Sequence, residues 1–227
     1  MGMGGTNGGV TTLEAAAAYA MFGNGGVYYE PIFYTLVTDQ QDNAVLRKKS
    51  NITVAIGEDT ACIMNHLLQC VIYGPKGTGR DIVKNYMPDH RIFAKTGTSN
   101  DDKDAWFVGG TTHYIGASWY GYDIPATLSD TTLARDLWGA VMKKVHADLP
   151  VEAFEESEYV ECRYYCTETG KLATDACQKV AVGWYKTGYR ETCDKHEGTI
   201  REPIVTNKEE GAEGDTETTS STASSAQ

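Results

Sequence analysis

Residues 92–122 constrain the fold of this chain more than any other stretch. Three β-rich runs, 92–98, 105–109 and 113–122, are separated by short connections, of which the polar 100–104 is the clearest turn. Connections this short favour antiparallel neighbours, because a parallel pair needs a crossover of about a dozen residues or more. The segment that follows, 130–146, carries Leu133, Leu137, Trp138, Val141, Met142 and Val145 at helical spacing. An amphipathic helix there has to bury its apolar stripe, and the sheet before it is the available surface. The expected class is α/β in the α+β sense, an antiparallel sheet packed with helices.

The rest of the chain agrees with that class. Thr11 followed by Glu14 has capping-box spacing, and the Ala-rich run 14–22 behind it is a strong helix former that ends at Gly23-Asn24-Gly25-Gly26. Residues 28–38 are aromatic and β-branched and read as one strand, with a turn over 39–43 and a return at 44–46. Asp59 is placed to cap a second helix over 60–73, closed by Gly74.

Charge removes two classes of function. Of a net charge of -11, the tail from Asn207 carries -4 and the body -7, with no clustered Lys/Arg stripe. An acidic body of this kind argues against nucleic acid and against an anionic membrane surface. No apolar run is long enough to span a bilayer, and the first residues lack the basic flank and apolar stretch of a signal peptide.

Six cysteines fall into two groups. Cys62 and Cys70 are eight residues apart, about 12 Å along a helix, too far to bridge each other, and they read as buried apolar thiols. Cys162, Cys166, Cys177 and Cys193 are an even set in a loop-rich stretch, which favours disulfides and an oxidising compartment. Three units are expected: a main domain over 1–150, a Cys-rich extension over 151–203 and a disordered acidic tail over 204–227, which holds too little apolar surface to order itself.

The chemistry concentrates at Lys95-Thr96-Gly97-Thr98-Ser99 and the following Asp104-Ala105-Trp106-Phe107-Val108-Gly109. Taken with Trp119-Tyr120-Gly121-Tyr122-Asp123 downstream and Gly9-Val10-Thr11-Thr12-Leu13-Glu14 upstream, this ordered series resembles the penicillin-binding proteins, in particular the bifunctional class A type. The resemblance implies the C-terminal part of a penicillin-binding-protein/β-lactamase-like transpeptidase fold, in which Lys-Thr-Gly lies on an edge strand walling the active site. It implies that Lys95 sets positive charge beside a catalytic serine and the substrate carboxylate. It also implies that the Thr96 and Thr98 hydroxyls bind that carboxylate, with Ser99 beside them, and that the Thr98 N–H forms half of an oxyanion hole. Gly97 would let a ligand backbone approach closely. The implied partners are the D-Ala-D-Ala end of a peptidoglycan stem peptide and β-lactams, outside the cytoplasm at the membrane or cell wall. A membrane anchor is expected only in an upstream segment, and no cofactor or metal is expected. Related readings are a D,D-carboxypeptidase, a serine β-lactamase, or a non-catalytic peptidoglycan-binding module.

The same family needs Ser-x-x-Lys and Ser-x-Asn, and no serine of this chain begins either. The expectation is therefore a partial domain, inactive alone. Gly74-Pro75-Lys76-Gly77-Thr78-Gly79-Arg80-Asp81 nearly matches a phosphate-binding loop, but Arg80-Asp81 replaces the required Lys and Ser/Thr, so it reads as a connection. Cys166, Cys177, Cys193 and His196 could hold zinc. Their spacing lacks two tight ligand pairs, and disulfides are favoured. Cys193-Asp194-Lys195-His196 resembles a pattern in class A C-terminal extensions. His66, His90, His113 and His146 are scattered and read as surface or packing residues.

Overall fold

The computed structural model describes residues 9–205, so the tail expected over 204–227 lies outside the described residues except for Ile204 and Val205. In chain order the elements are α1 (Thr12–Ala20), β1 (Val27–Tyr29), β2 (Leu36–Thr38), β3 (Ala44–Arg47), β4 (Ile52–Val54), α2 (Glu58–Tyr73), α3 (Asp81–Asn85), β5 (Phe93–Thr98), β6 (Asp104–Gly110), β7 (Ile115–Gly121), α4 (Leu133–Val145), β8 (Val160–Cys166) and β9 (Val180–Lys186).

Local chemistry accounts for most boundaries. The Thr11 hydroxyl accepts the Glu14 N–H at 3.2 Å while the Glu14 carboxylate accepts the Thr11 N–H at 2.8 Å, the reciprocal capping box that starts α1. Gly25 and Gly26 follow at positive φ; a Cβ on Gly26 would meet the Ile56 carbonyl oxygen at 2.2 Å, so only glycine fits. The single strand expected over 28–38 is two, β1 and β2, pairing respectively with β4 and β3. Pro31 sits between them and has no N–H to give a ladder. At the β2–β3 turn Asp39 Oδ1 accepts from the N–H groups of Gln41 and Asn43.

The central sheet is the expected meander, β5-β6-β7, antiparallel throughout. One apolar core lies between it and the helices and is built on Ile72, Ile82, Ile92, Phe107, Trp138 and Met142. The helix α4 does pack there, but on a different stripe from the one its large residues suggest. Its buried residues are Ala134, Trp138, Gly139 and Met142, whereas Leu133, Leu137, Val141 and Val145 face solvent. Small residues let the helix approach closely: a Cβ on Gly139 would sit 2.6 Å from the Tyr86 ring. The exposed set is one residue, about 100°, round the helix from the buried one.

Helix α2 buries Ala61, Asn65, Leu68 and Ile72. Cys62 and Cys70 fall off that stripe, so the expectation of two buried thiols is not met: Cys62 is half-buried and Cys70 exposed. The β8–β9 hairpin of the Cys-rich segment docks on this helix. Trp184 stacks on His66 at 3.6 Å, and Lys186 Nζ pairs with Asp59 at 2.8 Å and donates to Thr60 Oγ1 at 3.0 Å. Asp59, expected as an N-cap, lies inside the helix instead, and Gly57 takes the cap position.

Candidate active site

Strand β5 is an outer strand: its ladder runs to β6, and among the described residues no strand pairs with its other edge. Register places Lys95 opposite Val108, Thr96 opposite Phe107 and Thr98 opposite Ala105. The Ser99 N–H donates to the Asp104 carbonyl at 3.0 Å, so that opposed pair is hydrogen-bonded. Antiparallel pairs alternate. The N–H and C=O groups of Thr98 and Thr96 therefore point away from β6, to the open edge. The Lys95 ammonium fits this geometry, donating to the Thr96 carbonyl at 2.9 Å.

Lys95 is exposed and lines an open groove of about 440 Å³ with Cys70, Val71 and the loop 74–78. That loop is tied to the strand by Thr78, whose hydroxyl lies 2.7 Å from the Thr96 hydroxyl. Thr78 was not singled out from sequence, because nothing in a glycine-rich turn reveals what it folds against. Gly97 has a packing reason to be glycine: a Cβ there would press on Trp106 Cβ at 3.2 Å. The Ser99 hydroxyl is engaged in the β5–β6 turn, donating to Asp104 Oδ2 at 2.9 Å and accepting the Asp104 N–H at 2.8 Å. Trp119 Nε1 holds the other Asp104 oxygen at 3.0 Å, and Asp101 and Asp102 close the turn at positive φ.

The family model for the penicillin-binding protein transpeptidase domain matches residues 1–124, over half of the chain, and this span includes the whole of the sheet just described. The chain belongs to the penicillin-binding transpeptidase family. Among the relatives of this transpeptidase segment, penicillin-binding protein 1A of Clostridium tetani is 31% identical over 87% of the chain and 25% of that protein. Penicillin-binding protein 1A of Clostridium novyi is 36% identical over 78% of the chain and 20% of that protein. Penicillin-binding protein 1A from Haemophilus influenzae shares the fold, with a TM-score of 0.69 at 22% identity over 81% of the chain and 33% of that structure. The chain thus spans a quarter or less of the length of these curated relatives.

Away from the transpeptidase strand, the cysteines do not pair as expected. All six are free thiols, so the disulfide expectation for Cys162, Cys166, Cys177 and Cys193 is corrected. The even set divides three to one. Cys162 stays within β8 opposite Trp184, while Cys166, Cys177 and Cys193 gather around His196 with all four ligand atoms within 4.8 Å of one another. Burial pushes the Cys193 thiol up, but hydrogen bonds from Thr169, from the backbone of Lys195 and His196 and from the His196 ring outweigh it and bring it to about 6. These four are the set that the sequence offered for zinc, with Cys193 and His196 its one tightly spaced pair. A smaller trio, Cys62, His66 and Glu156, also converges, the first two being one helical turn apart.

A second cavity, about 630 Å³ between the α1–β1 turn, α2 and residues 152–157, shares no lining residue with the Lys95 groove. His146 is the one buried histidine among the described residues. Its Nδ1 is 2.8 Å from the Met142 carbonyl and must donate, so in the neutral ring Nε2 accepts from Thr111 Oγ1 at 2.7 Å. Burial holds its pKa below the ordinary 6.5, aided by the nearby His90 and His113, while the Met142 bond opposes the shift. A folded pKa below the unfolded one means the unfolded chain binds more protons, so stability falls as pH drops below about 6.5. The urea midpoint is expected to fall on acidification through that range, and His146→Gln to flatten the fall. An equal slope in both proteins would contradict this.

Proposed function

We propose that β5 is the substrate-gripping wall of a serine D,D-transpeptidase that cross-links peptidoglycan stem peptides. The observation that supports it best is the outward direction of the Thr96 and Thr98 backbone groups on an open edge, beside the exposed Lys95 ammonium. An extended peptide can add to such an edge as a further strand. On this reading Lys95 attracts the terminal carboxylate of a D-Ala-D-Ala end, the Thr96 and Thr98 hydroxyls bind it, and the Thr98 N–H stabilises the tetrahedral oxyanion. A β-lactam would enter the same way. Ser99 takes the lesser part of closing the turn that presents Thr98.

The sequence holds no Ser-x-x-Lys or Ser-x-Asn, and an acyl-enzyme needs both the nucleophile and its base. We read the chain as the Lys-Thr-Gly half of the catalytic unit, unable to acylate alone. The apolar stripe of Leu133, Leu137, Val141 and Val145 on α4 supports this, since solvent-facing rows of that kind commonly pack against further structure. The site of action would be outside the cytoplasm at the membrane or cell wall. Among the described residues no helix is long and apolar enough to cross a membrane.

The test is covalent labelling with a fluorescent penicillin. The chain by itself is expected to take no stoichiometric label. Joined behind the upstream part of the transpeptidase domain of the Clostridium tetani relative, it is expected to label in a way that the nucleophilic serine of that part controls. Labelling of the chain alone overturns the reading, as does a folded fusion that stays unlabelled. Saturable stem-peptide binding without any labelling in the fusion would favour a non-catalytic binding module.

A further inference from the structure

We propose that Cys166, Cys177, Cys193 and His196 bind one zinc ion, through three thiolates and one imidazole, in a closed structural site. His196 Nδ1 lies 3.6 Å from Cys166 Sγ, 3.6 Å from Cys177 Sγ and 3.3 Å from Cys193 Sγ. An imidazole nitrogen carries one proton or one lone pair, so hydrogen bonding explains one of these contacts and not three. A shared metal explains all of them. With metal–sulfur bonds of about 2.3 Å and a metal–nitrogen bond of about 2.0 Å at tetrahedral angles, neighbouring sulfur and nitrogen ligands lie about 3.5 Å apart. The three distances bracket that value.

The path of the chain shows how distant ligands meet. Cys166 ends β8, Gly170 turns the chain at positive φ, and the Cys166 N–H bonds back to the Lys171 carbonyl. Leu172 then exchanges backbone hydrogen bonds with Glu191 and Cys193, which seats Cys193 and the His196 three residues on beside the first turn. Cys177 arrives from the far end of the same loop, its sulfur 3.4 Å from the Thr174 N–H. N–H groups directed at sulfur stabilise the thiolate form that a metal needs. On the outer side of the ring, His196 Nε2 is 3.9 Å from Glu168 Oε2, a carboxylate placed to steady the imidazole.

Ligand type selects the ion. Three buried thiolates and one imidazole in a four-point cage suit zinc, and a full protein ligand set leaves no position for substrate. A disulfide would use two of the three sulfurs and leave the third, with the imidazole, converging on nothing. The local apolar core is little more than the ligands themselves, Cys166, Cys177 and Cys193 with Ala173, so the metal would supply what a small hairpin module cannot bury.

The full 227-residue chain, reduced, stripped with a chelator and titrated with zinc, is expected to take up one ion per chain, measured by elemental mass spectrometry. Three of its six thiols should lose reactivity toward a thiol reagent. Cobalt in place of zinc should give thiolate charge-transfer bands and the intense visible bands of a tetrahedral site. Cys193→Ser and His196→Ala should each lower affinity by more than the roughly 10–100-fold that follows loss of an outer-shell partner. Cys62→Ala, in the separate trio, should change nothing. Because loss of a ligand in Cys193→Ser threatens folding, His196→Cys is the decisive variant: it keeps four ligands, should still hold one ion, and should shift the cobalt bands to those of a four-sulfur site. Uptake far below one ion per chain by the reduced protein overturns the proposal. So does uptake abolished by Cys62→Ala, or a disulfide among the three cysteines in protein isolated without oxidant.

Discussion

Replacing Lys95 with alanine is expected to slow acylation by a β-lactam about 10²–10³-fold in an enzyme that joins this segment to a Ser-x-x-Lys nucleophile, the loss found when one preorganised charge-stabilising group is removed. The ammonium is the one cationic group of the β5 strand, and it is held over the open edge by the Thr96 carbonyl rather than drawn off by an acid. Among the described residues no carboxylate lies within ion-pair distance of it. It is therefore free to meet a substrate carboxylate or the charge that develops on the reacting carbonyl. Stability should hardly change, because an exposed side chain without packing partners contributes within about 0.5 kcal/mol. Lys95→Arg should recover part of the rate, keeping the charge but replacing a compact ammonium with a planar fork. The second-order acylation rate with fluorescent penicillin reads this directly, with a urea melt as control. A Lys95→Ala rate within about threefold of the unmodified enzyme would remove the lysine from the mechanism.

Much of the framework that carries this lysine is legible in the sequence, and the reason is local. The meander follows from short polar turns, and α1 from a capping box that needs only residues three apart. These features depend on neighbours along the chain. What escaped depends on contacts between distant segments. Helix α4 shows the difference: its periodicity was visible, but burial chose Ala134 and Gly139 over Leu133 and Leu137 because close approach rewards small residues, as where Gly139 meets Tyr86 and Ile82 beside α3. The Thr78–Thr96 bond joins residues 18 apart and has no sequence signature. The thiol cluster was legible as a set, Cys166, Cys177, Cys193 and His196, but its uneven spacing favoured disulfides and hid which thiols converge. Counting cysteines treats them as equivalent, whereas the β8–β9 hairpin holds Cys162 in a strand and turns Cys166 toward His196, 30 residues away. The strand bearing Lys95 was foreseen as an edge; the direction of each backbone group required the register.

Trp138→Ala is expected to destabilise the chain by about 3–5 kcal/mol, the range for truncating a buried tryptophan to alanine. That is a large share of the roughly 5–15 kcal/mol that a domain possesses. The indole is 3% exposed, sits 5.1 Å from the Phe107 ring and donates to the carbonyls of Gly109 and Gly116 at 3.2 Å each. Gly116 lacks a side chain where a Cβ would come within 3.0 Å of the indole nitrogen, so the sheet is shaped around this ring. Its neighbour Leu137 is 55% exposed, and Leu137→Ala should stay within about 0.5 kcal/mol. The pair separates two accounts of α4, since apolar periodicity alone ranks both residues as core. Urea midpoints of the two variants should therefore differ widely, with Trp138→Phe in between. Equal midpoints would mean that the ring does not anchor the sheet. Phe107 lies opposite Thr96 across the ladder, so the packing that Trp138 secures also fixes the strand whose open edge would meet the substrate.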